Sequence, residues 1–279
     1  ILPEILGELA DDNNLEPAFR ALALTLPLEG DVAREIGRNV DPDAVFTVRN
    51  SLIGITAAKN IETFNLVIGK VRDGGSFAPD AGSAGKRALK NILLDFISVN
   101  SGHPAIAAKE FHSATNMTDR LAALHILCSR FSETSHAGQA LLEFEKRHGL
   151  DSLTIDKWFA TQAITPGPRT LERIIGLTKH KAFSFANPNR MRSLIGTFAT
   201  SNPTGFHRAD GSGYRFISDF VLELDTKNPQ TAARILTAMR SWRWLEPGRR
   251  EHARLALASI AAAKSLSADV RDIVDRVLA

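Results

Sequence analysis

The chain has 279 residues, 44% of them hydrophobic and 23% charged, the proportions of a folded globular protein, which excludes a disordered or collagen-like chain. Its 34 Lys and Arg against 31 Asp and Glu leave +3, a surplus too small over this length to mark a nucleic-acid binder by charge alone. The single cysteine, Cys128, rules out an intrachain disulfide and a thiolate-rich zinc site, and it fits a reducing compartment such as the cytoplasm.

Taken in chain order, Ile1 to Ala10 has neither the basic start nor the small-residue cleavage site of a signal peptide, and a first residue other than Met reads as an internal start in a longer polypeptide. Asp41-Pro42 places a capping side chain before a proline at the first helical position, where the missing N–H costs nothing. The helical pattern that follows, from Pro42 to Val71, is long enough for two helices. The stretch 73–85, DGGSFAPDAGSAG, is rich in Gly, Ala and Ser and is expected to be a flexible excursion between helices. From Asn116 onward, Leu121, Leu124, Cys128 and Phe131 step by three or four residues onto one helical stripe, with Asn116 as the cap. Asn187-Pro188 and Asn228-Pro229 repeat the cap-then-proline device. After Asn187, the stripe of Met191, Leu194, Ile195 and Phe198 leaves Arg192 about 100° round from Met191. After Asn228, Arg234 flanks Ile235, Ala238, Met239 and Trp242 in the same way. The last segment shows Val270, Ile273, Val274 and Val277 on one face, behind a Ser267 cap.

About fourteen helices of ~10 to 16 residues account for the whole pattern, and no alternating run calls for a sheet. The expected class is all-α, a superhelical solenoid of stacked antiparallel helices joined by short connections such as Ser101-Gly102 and Asn202 to Gly205. One domain over residues 1–279 is expected. The longest strongly apolar stretch, 255–263, falls far short of the ~20 residues that span a bilayer, so no membrane segment is expected.

Searches for chemistry return little. No histidine is followed by Glu, and the nearest approach to a metal motif, Glu145 to His148 beside Glu143, reads as a solvated helix end. Gly82-Ser-Ala-Gly-Lys86 lacks the flanking residues of a phosphate loop, and Asp210-Gly-Ser-Gly-Tyr214 reads as a helix connection whose glycines serve backbone conformation. No Gly-x-Ser-x-Gly elbow exists, and Cys128 sits on an apolar stripe. The six arginines between 234 and 254, with Trp242 and Trp244 among them, could stack on single-stranded nucleic acid; the competing reading buries the apolar face and leaves the arginines to solvent or a partner.

Phe111-His112, Asn116-Met-Thr-Asp-Arg-Leu-Ala-Ala-Leu124, Asp156-Lys-Trp-Phe159, the run from Asn187 to Gly196, Asn202-Pro203, Asp210 to Tyr214 and Asn228-Pro-Gln230 together resemble the C-terminal domain of the bacterial aminopeptidase N family. The resemblance covers nearly the whole chain and is weakest in the first hundred residues. It implies a zinc metallopeptidase whose His-Glu-x-x-His pair and Gly-x-Met-Glu-Asn motif lie outside this chain, since neither motif occurs here. It further implies a helical superhelix that closes over a catalytic domain, with arginines at the positions of Arg192 and Arg234 lining the cavity. Both guanidiniums offer a planar fork of donors suited to a peptide's terminal carboxylate; an ion pair across helices is the alternative role.

The expectation is thus a non-catalytic cap with no catalytic residue, metal or cofactor of its own, zinc residing in the parent enzyme. Its partners are the catalytic domain of the same polypeptide and the peptide substrates, with no nucleic acid and no membrane, in a cytoplasmic monomer. The rival is a free-standing helical scaffold that binds a protein or nucleic acid through the segment 234–254.

Overall fold

A computed structural model describes residues 1–72 and 77–279. The chain divides into two compact units, Ile1–Pro27 with Thr47–Phe144, and Leu28–Phe46 with Glu145–Ala279. The described residues are helical throughout, the one exception to helix and loop being an isolated parallel bridge between Val40 and Leu245. No helix among them is long and apolar enough to cross a membrane.

In the first unit, α1 (Leu2–Asp11) packs on α5 (Ile61–Val71), α2 (Pro17–Ala23) and α5 pack on α6 (Ala81–Ser101), and α7 (Ala105–Ser113) packs on α8 (Met117–Arg130), which also meets α6. The long region after Pro42 is indeed two helices, α4 (Pro42–Lys59) and α5, separated at Asn60. Helix α6 is the centre: Leu89, Leu93, Leu94, Phe96 and Ile97 are buried, with Phe64 of α5 against Phe96 at 5.2 Å between ring centroids. On α8 the buried face is broader than the expected stripe, taking in Ala123, Ile126 and Leu127 beside Leu124 and Cys128, while Leu121 and Phe131 are only half-buried. The flexible excursion expected over 73–85 is shorter. Residues 73–76 lie outside the described set, 77–80 are irregular, and 81–85 already form the first turns of α6, because the Asp80 side chain caps the Ser83 amide at 2.9 Å.

The second unit is built from more and shorter pieces than expected. Helix α3 (Glu29–Ile36) and the start of α4 join α10 (Ser152–Ile164), α11 (Thr170–Leu177), α12 (Pro188–Met191), α13 (Thr197–Ser201), α14 (Pro203–Phe206), α15 (Ser212–Asp225), α16 (Pro229–Leu236), α17 (Pro247–Ala261) and α18 (Ala268–Leu278). Asn-Pro pairs cause much of this fragmentation: Asn202 is buried, and its amide donates to the carbonyls of Ala163 (2.8 Å) and Thr165 (3.1 Å) while its oxygen caps Gly205. What reads as a connection is therefore a one-turn helix anchored in the core. Between α12 and α13 the chain widens into a π-turn, Arg192–Gly196, and after α16 it tightens into a 3-10 helix, Thr237–Trp244.

The expected stripes hold where they matter for this core. Met191, Leu194, Ile195 and Phe198 are fully buried, as are Val270 and Val274, whereas Ile273 is half-buried. Ser267 caps α18 and is itself gripped by the buried Asp225, which accepts from its amide at 2.8 Å and its hydroxyl at 2.5 Å. Phe206 joins Phe198 to Tyr214 through edge-on rings 6.2 and 5.3 Å apart.

Candidate functional site

Arg192 opens the π-turn, and its side chain is exposed beside a shallow hollow of about 490 Å³. Asp156 and Lys157 of α10, with Asn189, Ser193 and Thr197, complete the lining. Asn187 holds this corner in place by accepting the amides of Asn189 (3.0 Å) and Arg190 (3.2 Å).

The carboxylate in this hollow belongs to another arginine. Arg190 is buried, pairs with Asp156 at 3.0 Å, and lies over the Phe159 ring at 5.4 Å. Burial lifts the Asp156 carboxyl above the ordinary aspartate value, and the cations of Arg190 and Arg192 offset only part of that rise. Arg192 itself donates to the Asn189 side-chain oxygen and makes no ion pair among the described residues. Arg234, on α16, is likewise exposed and has no polar side-chain partner among the described residues. The π-turn packs directly on α16, so the segments carrying the two arginines adjoin, but Arg234 does not line the hollow beside Arg192.

A second, more apolar hollow of about 360 Å³ is walled by α3, Val40, Val45, Ala199, Trp244 and His207. His207 shares a 2.9 Å hydrogen bond between Nδ1 and the Tyr214 hydroxyl, and its carbonyl accepts from Arg249 Nε at 2.5 Å. Burial, and then the Arg249 cation, push the imidazole down to about 3, and burial pushes the Tyr214 phenol up. Arg249 is buried and pairs with Asp41 (3.2 Å), Asp43 and Glu246 (3.4 Å), tying the N-terminal turns of α4 and α17 together.

A consequence for stability follows from His207. In the unfolded chain this group takes up a proton near pH 6.5, whereas in the folded unit it stays neutral down to about 3. The unfolded state binds more protons in that window, so stability falls as the pH drops from 6.5, by at most about 1.4 kcal/mol per pH unit. Urea melts at pH 7.0 and 5.5 should show this loss, and His207→Gln should flatten the difference.

Among the described residues no three His, Cys, Asp or Glu side chains gather in a way that fits a metal ion. The Glu145-to-His148 turn is used differently. Glu145 accepts from Nε2 of His180 at 3.1 Å, and the Ala182 amide donates to Nδ1, which fixes the proton on Nε2. His180 packs against Trp158 and Phe159 at 5.2 and 5.6 Å.

The segment 234–254 is not one helix with a solvated arginine face. It changes from α to 3-10 geometry and turns through an extended Leu245. Trp242 is buried with its indole donating to the Val277 carbonyl at 2.9 Å, Ala238 is only half-buried, and Arg249 is the buried hub described above.

Residues 2–279 match the family described as a domain of unknown function, DUF3458_C, with ARM repeats. The chain belongs to that family. ARM repeats are stacked helices, in agreement with the all-α solenoid expected from periodicity. The chain is 35% identical over 277 residues to aminopeptidase N of Caulobacter vibrioides, covering 99% of this chain and 32% of that one. It is 34% identical over 270 residues to aminopeptidase N of Escherichia coli, covering 96% and 31%. Aminopeptidase A of Legionella pneumophila, solved in complex with aspartic acid, superimposes with a TM-score of 0.89 at 26% identity, over 99% of this chain and 33% of that one. The DUF3458_C chain thus spans about a third of the length of these relatives, corresponding to their C-terminal part.

Sequence reasoning marked Arg192 and Arg234 and missed Arg190, Arg249 and the His207–Tyr214 pair. Asp156 stood in a recognised motif, yet nothing local says that its partner is 34 residues on rather than 36 (190 − 156 and 192 − 156).

Proposed function

We propose that the chain is the non-catalytic C-terminal cap of a cytoplasmic, monomeric, zinc-dependent aminopeptidase that removes N-terminal residues from peptides. Zinc would be held by the remaining part of the parent polypeptide and would there supply Lewis-acid polarisation of the scissile carbonyl and an activated water. The cap closes the catalytic cavity and supplies Arg192 and Arg234 to the C-terminal carboxylate of the peptide. The observation that carries this reading is the end-to-end match to the C-terminal part of aminopeptidase N. The two arginines add to it, because Asp156 is taken by Arg190 and neither Arg192 nor Arg234 has a carboxylate partner among the described residues.

The 279-residue chain mixed with zinc and an aminoacyl chromogenic substrate should give no turnover, and sustained hydrolysis would sink the proposal. In the full-length polypeptide, Arg192→Ala or Arg234→Ala should lower kcat/KM for a tripeptide with a free carboxylate by roughly 10- to 100-fold, the worth of a charge-assisted hydrogen bond. An aminoacyl anilide, which has no terminal carboxylate, should be hydrolysed at an unchanged rate. Equal losses on both substrates, or no loss on either, would remove these residues from the peptide's path. Both side chains are exposed, so stability should stay within about 0.5 kcal/mol of the parent.

A further inference from the structure

Two stretches of chain wall the hollow beside Arg192. Helix α10 contributes Leu153, Asp156, Lys157 and Ala160, which follow one another at steps of three, one and three and so share one face of that helix. The other wall comes from Asn189 and the π-turn that Arg192 opens. Asp156 is the only carboxylate among these lining residues, and Arg190 holds it from the buried side at 3.0 Å, so its charge is already met.

That leaves two cations in the hollow without an anion. Lys157 is exposed, and its side chain makes no ion pair or hydrogen bond among the described residues. Arg192 has only the neutral side-chain oxygen of Asn189. Asn189 is itself tied down, because its backbone amide donates to Asn187 at 3.0 Å; one end of the guanidinium is thereby fixed and its other donors stay available. Leu153, 70% exposed, and Ala160 put apolar surface beside the two charges. The ligand that matches both is an anion carried on an apolar group, in contrast to a bare inorganic ion.

We propose that Lys157 joins Arg192 in binding the C-terminal carboxylate of the peptide, the ammonium meeting one oxygen and the guanidinium the other. The terminal side chain then rests on Leu153. The inference rests on the reading of the chain as an aminopeptidase cap, adds a residue to it, and narrows the preferred substrates to peptides whose C-terminus is free. Arg234, on α16, stands outside this hollow, whereas Lys157 shares it with Arg192. A carboxylate between two cations gains a charge-assisted hydrogen bond at each oxygen, and an amide at the same place loses that attraction.

The test compares a tripeptide bearing a free carboxylate with the same tripeptide bearing a C-terminal amide, both on the full-length polypeptide. Lys157→Met keeps much of the apolar stem and removes the charge, and Lys157→Arg keeps the charge. For Lys157→Met, KM for the acid should rise roughly 5- to 20-fold with kcat within about twofold, the lower end reflecting the screening of an exposed cation. KM for the amide should move less than about twofold, Lys157→Arg should recover most of the loss on the acid, and added salt should shrink the difference. Lys179→Met, at an exposed lysine outside the hollow, controls for the general loss of a positive charge and should alter neither substrate. An unchanged KM for the acid in Lys157→Met would overturn this inference; a loss still seen with Arg192→Ala would then leave the aminopeptidase reading standing, and no loss there would remove the arginine as well. Equal losses on acid and amide would also overturn it, since the carboxylate would then play no part. A full-length polypeptide that hydrolyses neither substrate would overturn the aminopeptidase reading itself, and the inference with it.

Discussion

Replacing Gly213 by alanine is expected to unfold the second unit under conditions where the parent is native. Gly213 lies in the first turn of α15, and a methyl group there would stand 2.1 Å from the Phe206 carbonyl oxygen and 2.8 Å from its carbon. The Gly205 carbonyl oxygen would be 3.0 Å away. These neighbours are backbone, so no rotamer change relieves the contact; α14 and α15 must separate. That movement would pull Tyr214 away from Phe206 and break its 2.9 Å hydrogen bond to His207. Overpacking costs about 1–3 kcal/mol where side chains can yield, and a contact with backbone belongs at or beyond the upper end. Gly138, where an added methyl meets nothing within 4 Å, is the control and should lose nothing on conversion to alanine. A Gly213→Ala melt within about 0.5 kcal/mol of the parent would contradict the close approach of the two helices.

The second large effect is expected at Asp156. Asp156→Ala leaves the buried Arg190 guanidinium without its anion, and breaking a buried pair from one side costs about 3–5 kcal/mol. The cation keeps only the Phe159 ring 5.4 Å away, which recovers a small part. Asp156→Asn should cost less, because an acceptor oxygen remains and because burial already makes the ionised carboxylate expensive. If the two variants melted together, the acceptor oxygen that Asn keeps would contribute nothing and the lost charge would account for the effect. Arg192→Ala, on the exposed side of the same hollow, should barely move the melt, and that contrast separates the structural arginine from the one proposed to meet the peptide.

The contrast also shows where sequence reading stops. Asn116, Asn187, Asn228 and Ser267 were all legible as caps, and each accepts the amide of the third residue on, at 2.9, 3.2, 3.1 and 3.2 Å. The stripe from Met191 to Phe198 was legible too, because helical periodicity survives the π-turn well enough to keep all four side chains inside. Gly211 was read as a conformational glycine, and it is one, with φ at +72°. Its neighbour Gly213 is needed for a different reason, the passage of another stretch of backbone, which has no local signature.

By itself the sequence determined the helical class, the caps, the apolar stripes and the family, because those depend on residues three or four apart or on the order of motifs along the chain. Only the tertiary structure decided which cations are spent and which are free. Arg249 is closed by an aspartate 208 positions away, and Arg190 takes the carboxylate that Arg192 could have met. Six arginines between 234 and 254 look alike in sequence, and burial alone separates Arg249 from the rest. A charge finds its partner through space, and the distance along the chain carries no record of it.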